Sequence, residues 1–205
     1  STVSVVTNNK DKYVTEQLRN QVLAAVKELN YHPNSVARSL KIHETGTIGV
    51  VLTNISSPVT PTVVKTIQKI VTDKGMDMMI VSSEENKQLE INAVNNFISK
   101  RVDGLIICPV QSDNLNHIRY ASEVANIPVV CIERTIPQEF NIPSVVTSNY
   151  EISKKAVEHL ISHQRKNIAL LTMPIFGSNT SERIRGYTTA LKEHGLYKKE
   201  LIKET

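Results

Sequence analysis

The chain has 205 residues and is 40% hydrophobic, but Phe, Tyr and Trp make only 4%, so a sizeable core must be built from Val, Ile and Leu. No apolar run is long enough to cross a bilayer, and the polar first residues lack the apolar stretch of a signal peptide, which makes the cytoplasm the expected compartment. The net charge of +4 is divided as +2 over residues 1–46, −2 over 47–147 and +4 over 148–205, so charge alone points to no nucleic-acid-binding face.

Residues 1–9 are rich in β-branched side chains and fit strand or helix on propensity alone. Asn8-Asn9-Lys10-Asp11-Lys12 reads as a polar turn, and Thr15 as a helix N-cap. Leu18, Val22, Ala25, Val26 and Leu29 then recur at three- and four-residue steps, the mark of an amphipathic helix. Pro33 disfavours helix at the residue before it, and Asn34 can cap a new one. That helix, over 33–41, would carry Val36, Ala37 and Leu40 on one face with Arg38 and Lys41 beside them. It is too short to be stable alone in water. A marginal basic helix with an apolar wedge suits a minor-groove contact that folds on binding, Leu40 parting a base step while Arg38 and Lys41 approach phosphates. Leu40 could instead simply pack this segment onto the lobe behind it. His43-Glu44-Thr45-Gly46 reads as a linker.

A different rhythm begins at Thr47. Strand-length apolar runs cover Ile48–Leu52, Met76–Val81, Val102–Ile107, Val129–Ile132 and Ile168–Leu171, with helical patterns over Thr62–Lys74, Gln88–Lys100, Asn114–Ala125 and Tyr150–Ser162 between them. Strands buried on both faces read as continuous apolar runs, and their alternation with helices predicts a parallel α/β sheet. Gly75 and Gly195 fit helix-ending positions. Ser144-Val145-Val146-Thr147 would lead into a second α/β lobe. The predicted domains are 1–32, a partial helical headpiece; 33–46, a hinge helix and linker; 47–147, one lobe; and 148–205, the start of a second.

Ligands of open parallel sheets bind beyond the carboxyl ends of the strands. Here those ends offer Asn54, Ser56, Ser57, Ser82, Ser83, Glu84, Gln111, Glu133 and Arg134, with Asn179 and Arg183 farther along. Amides, carboxylates and guanidinium groups of this kind hold sugars and similar polyols, although many such residues are ordinary polar loop groups. Cys108 and Cys131 have no metal-ligand spacing and read as reduced core thiols. His159 and His163 stand four apart on a helix, with no Glu or Cys on that face, and read as a solvated surface. No phosphate loop, GxGxxG, HExxH or Gly-x-Ser-x-Gly elbow occurs, so neither catalysis, a cofactor nor a metal is expected.

The run Asn30-Tyr31-His32-Pro33-Asn34-Ser35-Val36-Ala37-Arg38-Ser39-Leu40-Lys41, followed by Thr47-Ile48-Gly49-Val50-Val51-Leu52-Thr53-Asn54-Ile55-Ser56-Ser57-Pro58, resembles the hinge and core start of the LacI/GalR bacterial transcriptional regulators. Thr2–Asn8 is similar to the family's recognition helix and Val22–Tyr31 to its third helix. Val102-Asp103-Gly104-Leu105-Ile106, Ala156-Val157-Glu158-His159-Leu160 and Arg183-Ile184-Arg185-Gly186-Tyr187 follow in the family's order. The resemblance implies a periplasmic-binding-protein-like core and a ligand-responsive repressor that binds double-stranded operator DNA as a homodimer under control of a small effector such as a sugar.

It also implies DNA contacts from Thr2, Ser4, Asn34, Ala37, Arg38, Leu40 and Lys41, with Val3 either core or base-facing. Effector contacts are implied for Ser57, Val59, Thr60, Glu133, Asn179 and Arg183, the last matching the family's effector-binding arginine. Three positions depart from the pattern: Val5 replaces a common Arg, Val59 and Thr60 replace two aromatics, and Glu133 replaces the usual Asp. In the family a helix precedes the recognition helix, and a strand should follow the helix before Thr205. The chain therefore reads as a fragment cut at both ends, with a smaller intact protein as the alternative. A transporter's solute-binding protein shares the two-lobe fold and is the competing function. A nucleotide-using α/β enzyme is a third reading.

Overall fold

A computed structural model describes residues 2–7, 14–31, 44–110, 114–174 and 177–204. They fall into two compact units, Ser1–Thr45 and Gly46–Thr205. In the first, α1 (Thr2–Thr7) packs on α2 (Glu16–Glu28). Val6 supplies the buried side chain of that contact. The Thr15 hydroxyl caps α2 by accepting from the Leu18 amide at 3.4 Å, as its position predicts. The β-branched first residues thus form helix, the alternative that the family resemblance implied. α2 ends three residues before Tyr31, because Asn30 turns left-handed at φ 45°. The predicted hinge helix over 33–41 lies outside the described residues.

In the second unit, five strands form a parallel sheet in the order β2-β1-β3-β4-β5. They are β1 (Thr47–Leu52), β2 (Asp77–Ser82), β3 (Gly104–Ile107), β4 (Val129–Ile132) and β5 (Ser144–Val145). Val50 stands beside Ile80 on one side and Ile106 on the other, and Ile107 pairs with Cys131. The helices are α3 (Thr60–Asp73), α4 (Lys87–Ser99) and α5 (Asn116–Arg119), which widens into a π turn over Tyr120–Val124. Val51, Val94, Phe97, Ile107, Leu115 and Ile118 centre the core, and the ring of Phe97 lies so close to Gly49 that a Cβ there would stand 2.6 Å from its Cδ2. Gly75 closes α3 at φ 70°, a conformation glycine adopts without a Cβ clash.

The second lobe begins with α6 (Asn149–Ser162), β6 (Leu170–Thr172) and α7 (Ser178–Glu193). α6 and α7 cross so closely that a Cβ on Gly186 would stand 2.3 Å from the Tyr150 carbonyl oxygen. Tyr187, Ala190, Leu191, Val157 and Ile168 fill the space below, and the Tyr187 hydroxyl donates to the Ile168 carbonyl at 2.7 Å. One expectation is corrected here. The strand anticipated only beyond Thr205 is already present as β7 (Ile202–Glu204), parallel to β6. It follows a single 3₁₀ turn over Lys199–Leu201 that ends the connection from α7.

Candidate effector site

The parallel register sends every strand of the sheet out at one edge, and the loops there carry most of the predicted polar set. After β1, the Asn54 side chain accepts from the Ser56 amide at 2.7 Å and so holds a tight turn. Ser57 is half-buried and Val59 is 59% exposed, leaving its apolar face open. Thr60 is buried at the head of α3, and its hydroxyl donates to the Asn54 carbonyl at 2.9 Å. It shapes the loop with that bond, and it also lines a small cleft with Leu52, Thr53, Val63, Cys108 and Glu133.

Glu133 sits on the rim of that cleft, exposed and left-handed at φ 62°. Its carboxylate lies 3.7 Å from the Cys108 sulfur, which in turn lies 3.8 Å from the Thr53 hydroxyl. Burial pushes the Cys108 thiol up to about 12 and that of Cys131 to about 11, so both stay neutral. Cys108 is therefore a core thiol, as predicted, and part of the cleft floor as well, which its position after an apolar run did not reveal.

Four predicted ligand groups are turned to structural use. Ser83 is fully buried and its hydroxyl donates to the Leu52 carbonyl at 3.1 Å. The Ser82 hydroxyl donates to Glu84 within the same loop. The guanidinium of Arg134 is drawn inward, in two bonds of 2.7 and 2.9 Å to Glu85 and two to the carbonyls of Val110 and Pro109 at 2.8 and 3.0 Å. Burial opposes its charge, but Glu85 together with the neighbouring Cys108 and Glu133 outweighs it and raises the pKa of the guanidinium. Gln111 lies outside the described residues.

On the second lobe, Asn179 is half-buried in the first turn of α7, and its side chain accepts from the Thr180 amide at 2.9 Å. Arg183, one turn on, is exposed and donates from Nε to Asn149 at 2.8 Å. Asn149 was not anticipated. It begins α6 one residue before the predicted start, and its own amide group donates to the Thr147 carbonyl at 3.0 Å. That leaves the remaining donors of a planar guanidinium facing outward from a fixed stem.

Of the candidate DNA-contacting residues, Thr2 is exposed on α1 and Ser4 lies on the same helix. Val3 is half-buried and lines an apolar groove with Val22, Ala25 and Val26 of α2 and with Leu29 and Tyr31. Asn34, Ala37, Arg38, Leu40 and Lys41 lie outside the described residues.

Two family models divide the chain as its two units do. Residues 1–34 match the bacterial regulatory proteins of the lacI family, and residues 45–205 match the periplasmic binding proteins and sugar binding domain of the LacI family. The chain belongs to the LacI family. Catabolite control protein A of Streptococcus mutans is 35% identical over 201 residues, covering 98% of this chain and 59% of that protein. The ribose operon repressor of Halalkalibacterium halodurans is 32% identical over 193 residues, 94% of this chain and 56% of the repressor. The Lac repressor dimer, solved bound to operator and the anti-inducer ONPF, superposes with a TM-score of 0.81 at 28% identity, over 96% of this chain and 58% of its own. The chain thus spans a little under three fifths of the LacI-family relatives it matches. A galactofuranose binding protein shares the core at 18% identity and a TM-score of 0.69, a likeness of fold alone.

Proposed function

We propose that the protein carrying this chain is a ligand-responsive, sequence-specific DNA-binding transcriptional regulator, a repressor controlled by a small effector such as a sugar. The observation that carries this reading is the pairing of two matches on one chain: a regulator headpiece over 1–34 and a sugar-binding core over 45–205. A solute-binding protein accounts for the second and leaves the first without a purpose. The relatives that match nearly the whole chain are regulators by name.

In this reading Ser57, Val59, Thr60 and Glu133 face the effector from the first lobe, and Asn179 and Arg183 from the second. Arg183 offers directional bonds to vicinal hydroxyls, and Glu133 accepts from them. With Val59 and Thr60 where relatives commonly stack an aromatic, specificity rests on hydrogen bonding more than on ring stacking. Thr2, Ser4, Asn34, Ala37, Arg38, Leu40 and Lys41 serve the operator, with Leu40 as the wedge, in a homodimer whose two hinge segments order on DNA. Effector binding shifts the lobe equilibrium and thereby the fraction of hinge able to dock.

The test is a reciprocal titration on the full-length protein. An operator duplex is first enriched from randomised DNA, and a panel of monosaccharides is then titrated with and without it. One sugar is expected to change operator affinity, and operator to change the affinity for that sugar by the same factor. Sugar binding that is indifferent to the duplex would leave only a solute receptor.

A further inference from the structure

Arg134 is the most heavily engaged polar side chain at the strand ends. Its fork grips the Glu85 carboxylate from the loop after β2, and Nη1 also reaches the Pro109 and Val110 carbonyls after β3, while its own backbone leaves β4. Three loops are therefore tied to one guanidinium. Those loops need tying: Glu84, Glu85 and Glu133 are all left-handed, at φ 49°, 54° and 62°, a conformation that costs non-glycine residues free energy unless the surroundings impose it.

The same side chain meets the second lobe. Gly177, just ahead of α7, rests on its stem so closely that a Cβ there would stand 2.6 Å from Cδ and 2.7 Å from Nε of Arg134. Beside this contact the Thr135 amide donates to the Ser178 hydroxyl at 2.8 Å. Gly177 has an extended backbone that any residue adopts, so space against Arg134 is what selects glycine.

We propose that Arg134 is a positioning residue for the effector cleft. It fixes the rim loops of the first lobe as one body and serves as the seat on which the head of α7, with Asn179 and Arg183, is set. Both terminal nitrogens of the guanidinium are bonded to protein and its Nε is buried, so Arg134 acts on the effector through the groups it holds. The inference rests on the effector-binding reading of this cleft, but its test requires neither effector nor DNA.

Cys108, next to the clamped Pro109 carbonyl, reports the rim, and Cys131, inside β4, reports the core. The full-length protein is labelled with N-ethylmaleimide under native conditions, and modification of each thiol is followed by peptide mass spectrometry. Arg134→Lys, Glu85→Gln and Gly177→Ala are each expected to speed Cys108 labelling by about tenfold or more with Cys131 unchanged, the sign of local opening. Gly177→Ala is the decisive variant, since it acts from the other lobe and removes no hydrogen bond. Cys108 and Cys131 accelerating in parallel would mean general loosening and overturn the proposal. So would a silent Gly177→Ala. Should Arg134→Lys fail to fold, the other two variants decide.

Discussion

Glu90 shows how much one side chain can organise. It is fully buried on α4, yet it accepts from the Val110 amide at 2.6 Å, lies 2.8 Å from the His117 ring and pairs with Lys87 at 2.9 Å. Burial by itself would raise its pKa, but the contacts with His117, Lys87 and Val110 hold the carboxyl below the usual carboxylate range. A depressed folded value means the stabilisation is complete above the unfolded carboxylate pKa and is lost as pH falls through the lower folded one. Urea melts at descending pH should therefore lose stability in that acid window. Glu90→Gln should flatten the loss, while Glu90→Ala should cost about 3–5 kcal/mol at neutral pH, because it strands buried partners. Arg183 is the contrast. It is exposed and bonded to one side chain, so Arg183→Ala should leave the melting curve nearly unchanged and weaken the selected sugar at least about tenfold in calorimetric titration. At this scale the sequence disclosed types and not partners. Arg134 was legible as a polar group at a strand end, but its grip on Glu85, 49 residues away, depends on the folded register, and so does the bond that Arg183 donates to Asn149.

Elements were far more legible than contacts. Four of the five strands in the main sheet carry apolar runs, and each predicted strand and helix there lies within a few residues of its place. Two elements were hidden for physical reasons. β7 has one apolar residue, Ile202, followed by a lysine and a glutamate, so no run marks it. The π turn after α5 keeps the helical spacing of apolar residues and differs only in its hydrogen bonds. The α6–α7 crossing makes the sharpest prediction at this scale. Gly186→Ala would drive a methyl group onto backbone atoms of Tyr150 and Lys154, which cannot swing aside. A loss of about 1–3 kcal/mol is expected from the urea midpoint, an overpacking cost. Thr15→Ala, which removes the α2 cap, should cost about 1 kcal/mol of headpiece stability by thermal melting.

At the scale of the whole molecule, the modest charge of the headpiece limits how much of operator affinity can be electrostatic. Lys41 is one of two basic groups in the hinge segment, and each phosphate contact contributes about −0.9 to the slope of log affinity on log salt. Lys41→Ala should make that slope shallower by about 1 per protomer, and by nearly the same amount on unrelated duplexes, which a salt series by fluorescence anisotropy would show. Leu40→Ala should instead weaken the selected operator with the slope unchanged, because a wedge carries no charge.

The strand order of the main sheet has a bearing on synthesis. All five of its strands precede residue 146, and the helices of the second lobe begin at Asn149. Chains emerge from the ribosome N-terminus first and domains fold as units, so these five strands can pair while the next lobe is still being translated. Nascent chains stalled with residue 148 just outside the exit tunnel should already resist a brief protease pulse across β1 to β4. Susceptibility that persists until α7 has emerged would mean that the lobes acquire their structure together.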